Sequence, residues 1–108
     1  MPDLSTIHFL KISGMIVQHR KREFENTVRY ACEMMTKDCL EKTLSIDIFA
    51  GDVYYFFTEW CTESALRKFL QSEEYQLIRS AYDVLGILDK IEIGYNAEIK
   101  TIRISQQS

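Results

Sequence analysis

The chain has 108 residues, 46% of them hydrophobic, and its 13 Lys and Arg against 16 Asp and Glu give a net charge of −3. This size predicts one domain over residues 1–108, with a core from about residue 7 to residue 104. The apolar content is high enough for the core to pack without disulfides or a metal. The acidic balance argues against a protein that binds nucleic acid by neutralising phosphates. The lack of any run of roughly 18 apolar residues argues against a membrane span, so we expect a cytoplasmic protein.

A strand and a helix are predicted in the first third of the chain. The strand covers Ile7 to about Met15, and the helix covers Arg20 to Lys37. Apolar residues recur in the second segment at the spacing of one helical face: Phe24, Val28, Ala31 and Met35.

A β-hairpin is predicted in the middle of the chain. Leu40 to Ala50 and Val53 to Trp60 are apolar and β-prone, and Gly51 and Asp52 between them suit a two-residue type II′ turn. With that turn Ala50 faces Val53. The further pairs expected on the same face are Ile48 with Tyr55, Ile46 with Phe57, and Leu44 with Glu59.

The second strand of this hairpin carries large apolar side chains on both faces. Its other face holds Tyr54, Phe56, Thr58 and Trp60, expected against Phe49, Asp47, Ser45 and Thr43 of the first strand. A sheet open to water on one side would alternate apolar with polar residues instead. Helices can cover one face, and we expect a second copy of the chain to cover the other, which predicts a homodimer.

The last part of the chain predicts a helix in two pieces and then two strands. Thr62 is a plausible N-cap for the first piece, and Ser72 for a second piece that ends near Leu85 and Gly86. The terminal strands are Ile91 to Tyr95 and Glu98 to Ile104. The order is β-α-β-β-α-β, an α+β, ferredoxin-like arrangement in which helices cover one face of an antiparallel sheet.

Several of these segments resemble the antibiotic biosynthesis monooxygenase family of dimeric α+β barrel proteins. The Asp38-Cys39-Leu40 strand entry resembles the family's Gly-Cys-Leu, and an aromatic strand ending in Trp60 follows. Thr62-Glu63-Ser64-Ala65-Leu66 and Leu70-Gln71-Ser72-Glu73 complete the likeness.

This resemblance implies a homodimer whose two sheets pack face to face, with a pocket in each subunit between sheet and helices. Members that oxygenate polyphenolic or quinol-like molecules do so without metal or flavin. The chain departs from the family at Phe69, where many relatives have His, and at Thr58, where many have an acidic residue. Heme-degrading relatives place a His near the position of Arg79, and this chain has none there. The Pro-Gly pair that precedes the first helix in relatives is replaced here by Ile16-Val17.

The candidate ligand-binding residues lie on the strand faces of the hairpin. Trp60 either stacks on a planar ligand and donates its indole N–H, or belongs to the core. Tyr54 and Phe56 either line the same cavity or pack an interface. The hydroxyl residues Thr43, Ser45 and Thr58 either orient a ligand or fill the sheet as β-prone residues.

Two residues are candidate general bases. Asp47 is expected on the face of Trp60, where a half-buried carboxylate could accept a proton, and a solvated edge residue is the alternative. His8 has the better intrinsic pKa for proton transfer, and a sheet residue with satisfied hydrogen bonds is the alternative.

No metal site or cofactor is predicted. The cysteines Cys32, Cys39 and Cys61 lack a CxxC spacing and are best interpreted as buried thiols. The primary hypothesis is a cytoplasmic homodimer that binds a small aromatic or quinol-like molecule and oxygenates it without a cofactor. A non-catalytic ligand-binding or assembly domain of the same fold is the alternative.

Overall fold

The computed structural model describes residues 7–95 and the backbone of residues 98–103. The elements in chain order are β1 (His8–Ile16), a short 3₁₀ turn (Gln18–Arg20), α1 (Lys21–Glu33), β2 (Cys39–Ile46), β3 (Val53–Trp60), α2 (Glu63–Leu70), α3 (Glu73–Leu85), β4 (Gly86–Tyr95) and β5 (Glu98–Arg103). The sequence predicts that the first helix continues to Lys37, whereas α1 ends at Glu33. None of the helices in the described residues is long and apolar enough to cross a membrane.

The strands form one antiparallel sheet in the order β2-β3-β1-β4-β5. The first four strands have the ferredoxin-like order, so the predicted α+β fold class is confirmed, and β5 extends the sheet beyond β4. The strand β1 lies at the centre, and α1 packs beside α3. The helices cover one face of the sheet, the helix face, and the opposite face is called the open face below.

The hydrophobic core lies between the helices and the helix face of the sheet. Phe24 of α1 stands at its centre, with ring centroids 4.9 Å from Tyr54 of β3 and 4.8 Å from Tyr82 of α3. Both pairs meet edge to face, the preferred geometry for aromatic rings. Buried aliphatic side chains of the sheet and helices complete the core, including Leu10, Ile12, Val28, Ile78, Leu85 and Ile91.

The two pieces of the last helical region begin at the predicted caps. The backbone N–H of Ala65 donates to Thr62 Oγ1 at 3.0 Å, and that of Tyr75 donates to Ser72 Oγ at 3.2 Å. Each cap satisfies a backbone N–H that the helix itself leaves free. These hydrogen bonds fix where α2 and α3 begin, and so position the helices over the end of β3.

Gly86 follows α3 as predicted, but it is extended and already belongs to β4, which was expected to start only at Ile91. It lies opposite Ile16 of β1. A Cβ at this position would stand 1.8 Å from the carbonyl oxygen of Met15. The residue is therefore needed for the close approach of β4 to β1 and not as a left-handed helix cap.

The predicted hairpin register is wrong. The strand β2 ends at Ile46, which pairs with Tyr54 instead of Phe57. The turn is longer than expected because the Asp47 carboxylate accepts hydrogen bonds from the backbone N–H groups of Phe49 (3.0 Å) and Ala50 (2.7 Å). Such a side-chain contact stabilises a turn of its own, in competition with the two-residue turn at the glycine.

The shift covers an odd number of residues, so it exchanges the faces of β2. Leu44 now lies opposite Phe56, on the helix face, and Ser45 lies opposite Tyr55, on the open face. Thr43 and Asp47 also lie on the open face, away from Trp60. The expectation that Thr43, Ser45 and Asp47 share the face of Trp60 is therefore wrong.

Candidate functional site

A cleft of about 240 Å³ opens beside Trp60, at the end of β3. Its walls come from β3, from α2 and the start of α3, and from the loop between α1 and β2. The lining residues are Thr36, Asp38, Trp60, Ala65, Lys68, Phe69, Ser72 and Glu74. Clefts for drug-sized ligands measure roughly 300–1,000 Å³, so this one suits a smaller molecule.

Two aromatic rings form the inner wall of the cleft. Trp60 ends β3 and Phe69 lies on the buried side of α2, with ring centroids 5.0 Å apart and planes inclined by 31°. Tyr75 of α3 supports Phe69 edge to face at 5.4 Å. The relative exposure of Trp60 is 1% and that of Phe69 is 4%, so each offers only part of its ring to the cleft.

The polar group of Trp60 is already used within the chain. Its indole N–H donates to Thr58 Oγ1 at 2.8 Å, and Thr58 is itself fully buried. A ligand in the cleft therefore meets the ring of Trp60 and not its N–H donor. The expectation that this N–H and the Thr58 hydroxyl serve a ligand does not match the geometry.

Charged side chains surround the mouth of the cleft. They are Asp38, before β2, Lys68, in α2, and Glu74, in the first turn of α3. Among the described residues none of the three takes part in an ion pair. All three groups are thus available to a molecule that enters the cleft.

Sequence reasoning missed this charged rim. The sequence pattern places Asp38 only in the strand entry and predicts no role for Lys68 or Glu74. A signal that could have found Glu74 is the second cap: Ser72 starts α3 beside the end of β3, and the first turn of α3 then lies next to Trp60. Lys68 lies three residues after Ala65, so both are on the side of α2 that borders the cleft.

Tyr54 and Phe56 lie on the helix face with Trp60 but do not line the cleft. Both are buried in the core, with relative exposures of 1% and 0%. The Tyr54 hydroxyl donates to the Glu25 carboxylate of α1. Burial and this carboxylate raise the pKa of Tyr54, so the hydroxyl stays protonated and structural.

Asp47 lies at the end of β2, on the open face. Its Oδ1 accepts a 2.8 Å hydrogen bond from the Tyr55 hydroxyl. This bond, with the backbone donors of Ala50 and Phe49, lowers the pKa of Asp47. A carboxylate with a lowered pKa is a weaker base. Asp47 also lies on the opposite face of the sheet from Trp60 and does not line the cleft.

His8 lies directly opposite Trp60 in the pairing of β1 with β3, so both side chains are on the helix face. Its ring lies 5.6 Å from that of Tyr95. The Nδ1 atom is buried and has no hydrogen-bond partner among the described residues. His8 is a neighbour of Trp60 but does not line the cleft, and its proposed role in proton transfer stays a prediction.

Within residues 7–95 no cluster of three or more His, Cys, Asp or Glu side chains could hold a metal ion. The three cysteines are free, but the prediction that they are buried is wrong: Cys32 and Cys39 are half-buried and Cys61 is exposed. The cleft therefore offers ring contacts, carboxylates, hydroxyls and one ammonium group as its chemistry.

The fold is shared with several solved structures. A protein of Nitrosomonas europaea, which its name assigns to the antibiotic biosynthesis monooxygenases, superposes with a TM-score of 0.71 at 6% identity over 91% of this chain and 95% of that chain. One of Bordetella bronchiseptica with the same assignment gives 0.65 at 19% identity over 89% and 99%. A conserved protein of Methanosarcina mazei gives 0.67 at 17% identity over 94% and 95%.

This chain has the fold of these proteins. No model of a known protein family matches its sequence, and no curated protein matches it either. At these identities the likeness extends to the fold, which hosts different activities in different proteins. The function must therefore be argued from the cleft and the sheet of this chain.

Proposed function

We propose that this protein binds a small, flat aromatic or quinol-like molecule in the cleft beside Trp60. The observation that carries the proposal is the combination of an inner wall of two rings with a charged mouth. An aromatic ligand would contact the edges of Trp60 and Phe69 that border the cleft, in the edge-to-face manner that aromatic rings favour. Its hydroxyl groups would donate to Asp38 or Glu74, and an acceptor oxygen would reach Lys68.

Binding can be followed through Trp60 itself, because it is the only Trp of the chain. Naphthalene-1,4-diol is a suitable probe, with calorimetry as a second method. The substitution Ala65→Leu fills the cleft, and Ser80→Leu, on an exposed site of α3 outside it, is the matched control. We expect Ala65→Leu to abolish quenching and heat of binding; equal affinity in both variants would contradict the site.

We propose that the functional unit is a homodimer, formed through the open face. Tyr55 and Phe57 of β3 are only half-buried there, and Phe9 of β1 stacks on Phe57 with ring centroids 5.8 Å apart. Aromatic surface of this kind is typical of subunit interfaces. Sedimentation equilibrium at micromolar concentration tests this directly, and a monomer would contradict it.

The three unpaired thiols support a cytoplasmic location, because reducing compartments keep cysteines free. We further propose that residues 1–108 act as one domain. The core already links both helical regions to a single sheet.

Oxygenation without a cofactor is the second candidate activity. The carboxylates of Asp38 and Glu74 at the mouth of an apolar cleft favour it, since either could remove a proton from a bound quinol-like molecule. The resulting carbanion would reduce dioxygen. A CH₂ carbon would lose two hydrogens and gain one oxygen atom, so that substrate and O₂ give a carbonyl product and water.

Oxygen uptake with anthrone-type and quinol substrates tests this activity. Glu74→Gln removes a cleft carboxylate, and Glu73→Gln removes its exposed neighbour, which lies outside the cleft. We expect uptake to fall in the first variant and to persist in the second. Binding of the probe with no uptake by the unmodified protein would establish the non-catalytic alternative instead.

A further inference from the structure

A second hollow adjoins the cleft beside Trp60. It measures about 250 Å³ and lies between the loop that precedes β2 and the start of α2. Three residues line both spaces: Asp38, Ala65 and Lys68. The cleft and this second hollow, called the side hollow below, therefore share one wall.

The side hollow differs from the cleft in its chemistry. The residues that line it and do not line the cleft are Lys37, Leu40, Cys61, Thr62 and Ser64. None of these described residues is aromatic. The side hollow thus offers an ammonium group, a thiol and two hydroxyls where the cleft offers two rings.

Opposite charges predominate in the two spaces. The cleft is lined by the carboxylates of Asp38 and Glu74 and by the ammonium group of Lys68. The side hollow is lined by the ammonium groups of Lys37 and Lys68 and by the carboxylate of Asp38. The balance of charge therefore changes from negative to positive across the shared wall.

The two lysines of the side hollow are not used to hold the fold together. Lys21 and Lys42 each donate to a backbone carbonyl oxygen, at 2.6 and 3.2 Å. Lys37 and Lys68 are exposed, and neither forms an ion pair or a side-chain hydrogen bond with the part of the chain that the structure describes. Both ammonium groups are therefore available to an anion that reaches the side hollow.

The two spaces are small when each is taken alone. The cleft measures about 240 Å³ and the side hollow about 250 Å³, whereas clefts for drug-sized ligands begin at roughly 300 Å³. A molecule that extends over the shared wall occupies both spaces. Ala65 contributes only a methyl group to that wall, and a larger side chain there would narrow the two spaces together.

We infer that the cleft and the side hollow together bind a hydroxylated aromatic carboxylic acid. This inference rests on the proposed function and specifies the class of its ligand. The ring of the acid lies in the cleft, against the edges of Trp60 and Phe69, with a hydroxyl group directed to Glu74. Its carboxylate extends over the shared wall into the side hollow, where Lys37 and Lys68 bind it.

Hydroxyl groups of the side hollow complete the binding of the carboxylate. Thr62 Oγ1 accepts the backbone N–H of Ala65 at 3.0 Å, and its own O–H is a donor that can serve an outside acceptor. Ser64 supplies a second O–H on the same side of the hollow. Hydrogen bonds to an ionised carboxylate are stronger than those between neutral groups.

A carboxylate suits the side hollow better than a phosphate does. Two ammonium groups and one carboxylate leave one positive charge in excess there. A ligand carboxylate brings one negative charge, whereas a phosphate monoester brings about −1.5 to −2 at neutral pH. The additional charge of the phosphate would be repelled by Asp38, because like charges at close range oppose binding.

Three related probes test the class of ligand. Naphthalene-1,4-diol, its 2-carboxylic acid and the methyl ester of that acid share one ring system, and only the acid is charged. Anaerobic titrations followed by the fluorescence of Trp60 give the three dissociation constants. We expect the acid to bind about fivefold more tightly than the diol or the ester, as is usual for exposed ion pairs. An acid that binds no more tightly than the diol would overturn the inference and leave the proposed cleft intact, whereas no binding by any probe would remove both.

The substitution Lys37→Gln tests the position of the carboxylate. Lys37 lines the side hollow and not the cleft. We therefore expect this variant to bind the acid about threefold or more weakly and the diol with unchanged affinity. Arg22→Gln, on an exposed site of α1 outside both spaces, controls for the loss of one positive charge. A Lys37→Gln variant in which both affinities fall equally, or in which neither falls, would overturn the inference.

The thiol of Cys61 reports on occupation of the side hollow independently. Cys61 is exposed and lines the side hollow, so a ligand carboxylate bound there shields it. We expect saturating acid to slow the alkylation of Cys61 by iodoacetamide several-fold and saturating diol to leave the rate unchanged. Mass spectrometry of the peptide that contains Cys61 measures both rates. Equal rates with the two probes would overturn the inference.

Discussion

Thr58 and Trp60 lie two residues apart on the helix face of β3, and the Trp60 indole N–H donates a 2.8 Å hydrogen bond to Thr58 Oγ1. Both side chains are buried, so this bond is the way in which the N–H is satisfied away from water. It also fixes the ring plane that forms the wall of the cleft. The hydroxyl of Thr58 is therefore a positioning group for the candidate site.

Replacing Thr58 with Val keeps the shape of the side chain and removes the acceptor. We expect the free energy of unfolding to fall by about 1–3 kcal/mol, since the indole N–H is then buried without a partner. Denaturant titration followed by the fluorescence of Trp60 measures the change. Thr58→Ser retains the hydroxyl and should lose less; a Val variant as stable as the unmodified protein would show that the bond contributes nothing.

Gly86 and Gly51 form a matched pair for a second prediction. A Cβ on Gly86 would lie 1.8 Å from the Met15 carbonyl oxygen, whereas a Cβ on Gly51 meets no atom within 4 Å. We expect Gly86→Ala to destabilise the protein by about 3 kcal/mol or more, because β4 must separate from β1. Gly51→Ala should change stability by no more than about 0.5 kcal/mol. Thermal unfolding of both variants is the measurement, and equal effects would contradict the account.

The fold was predictable from the sequence because its signals are local and redundant. The helical spacing of Phe24 and Val28, and the caps Thr62 and Ser72, each identify an element without reference to the rest of the chain. Together they restrict the topology to few alternatives. The same local signals were enough to order β1 to β4 correctly.

The site was less predictable because it depends on register and on contacts between distant segments. Gly51 and Asp52 are a strong turn signal, yet the Asp47 carboxylate binds two backbone amides and ends β2 earlier. That single competition moved Thr43 and Ser45 to the open face. Hydrogen bonds between a side chain and a nearby backbone are invisible to a pattern of apolar and polar residues.

The three thiols should differ in reactivity. Cys61 is exposed, whereas Cys32 and Cys39 are half-buried, and burial raises the pKa of each of these two thiols. Since the thiolate is the reactive form, we expect Cys61 to react first with a disulfide reagent at neutral pH and the other two to react slowly. The fast phase should be absent in Cys61→Ser. A fast phase that persists in that variant would show that Cys32 or Cys39 is accessible in solution.

The hydrogen bond from Tyr55 to Asp47 should make stability depend on pH in the acid range. This bond, followed by those from the amides of Ala50 and Phe49, lowers the pKa of Asp47 in the folded protein. In the unfolded chain the pKa of an Asp is about 3.9. The carboxylate therefore stabilises the fold fully above that value, and the contribution is lost as the pH falls through the lowered pKa.

The substitution Asp47→Asn removes the ionisable carboxylate, and the hairpin loop is the segment that should lose stability. We expect the variant to be less stable than the unmodified protein at neutral pH, by an amount that shrinks as the pH falls below about 4. Tyr55→Phe removes the largest cause of the shift and should raise the pKa of Asp47, moving the loss of stability to higher pH. Urea titrations across the acid range measure both effects, with Asp52→Asn as the control on the same loop. A stability difference between Asp47→Asn and the unmodified protein that stays constant from neutral pH to about pH 3 would show that the carboxylate is not tuned by these bonds.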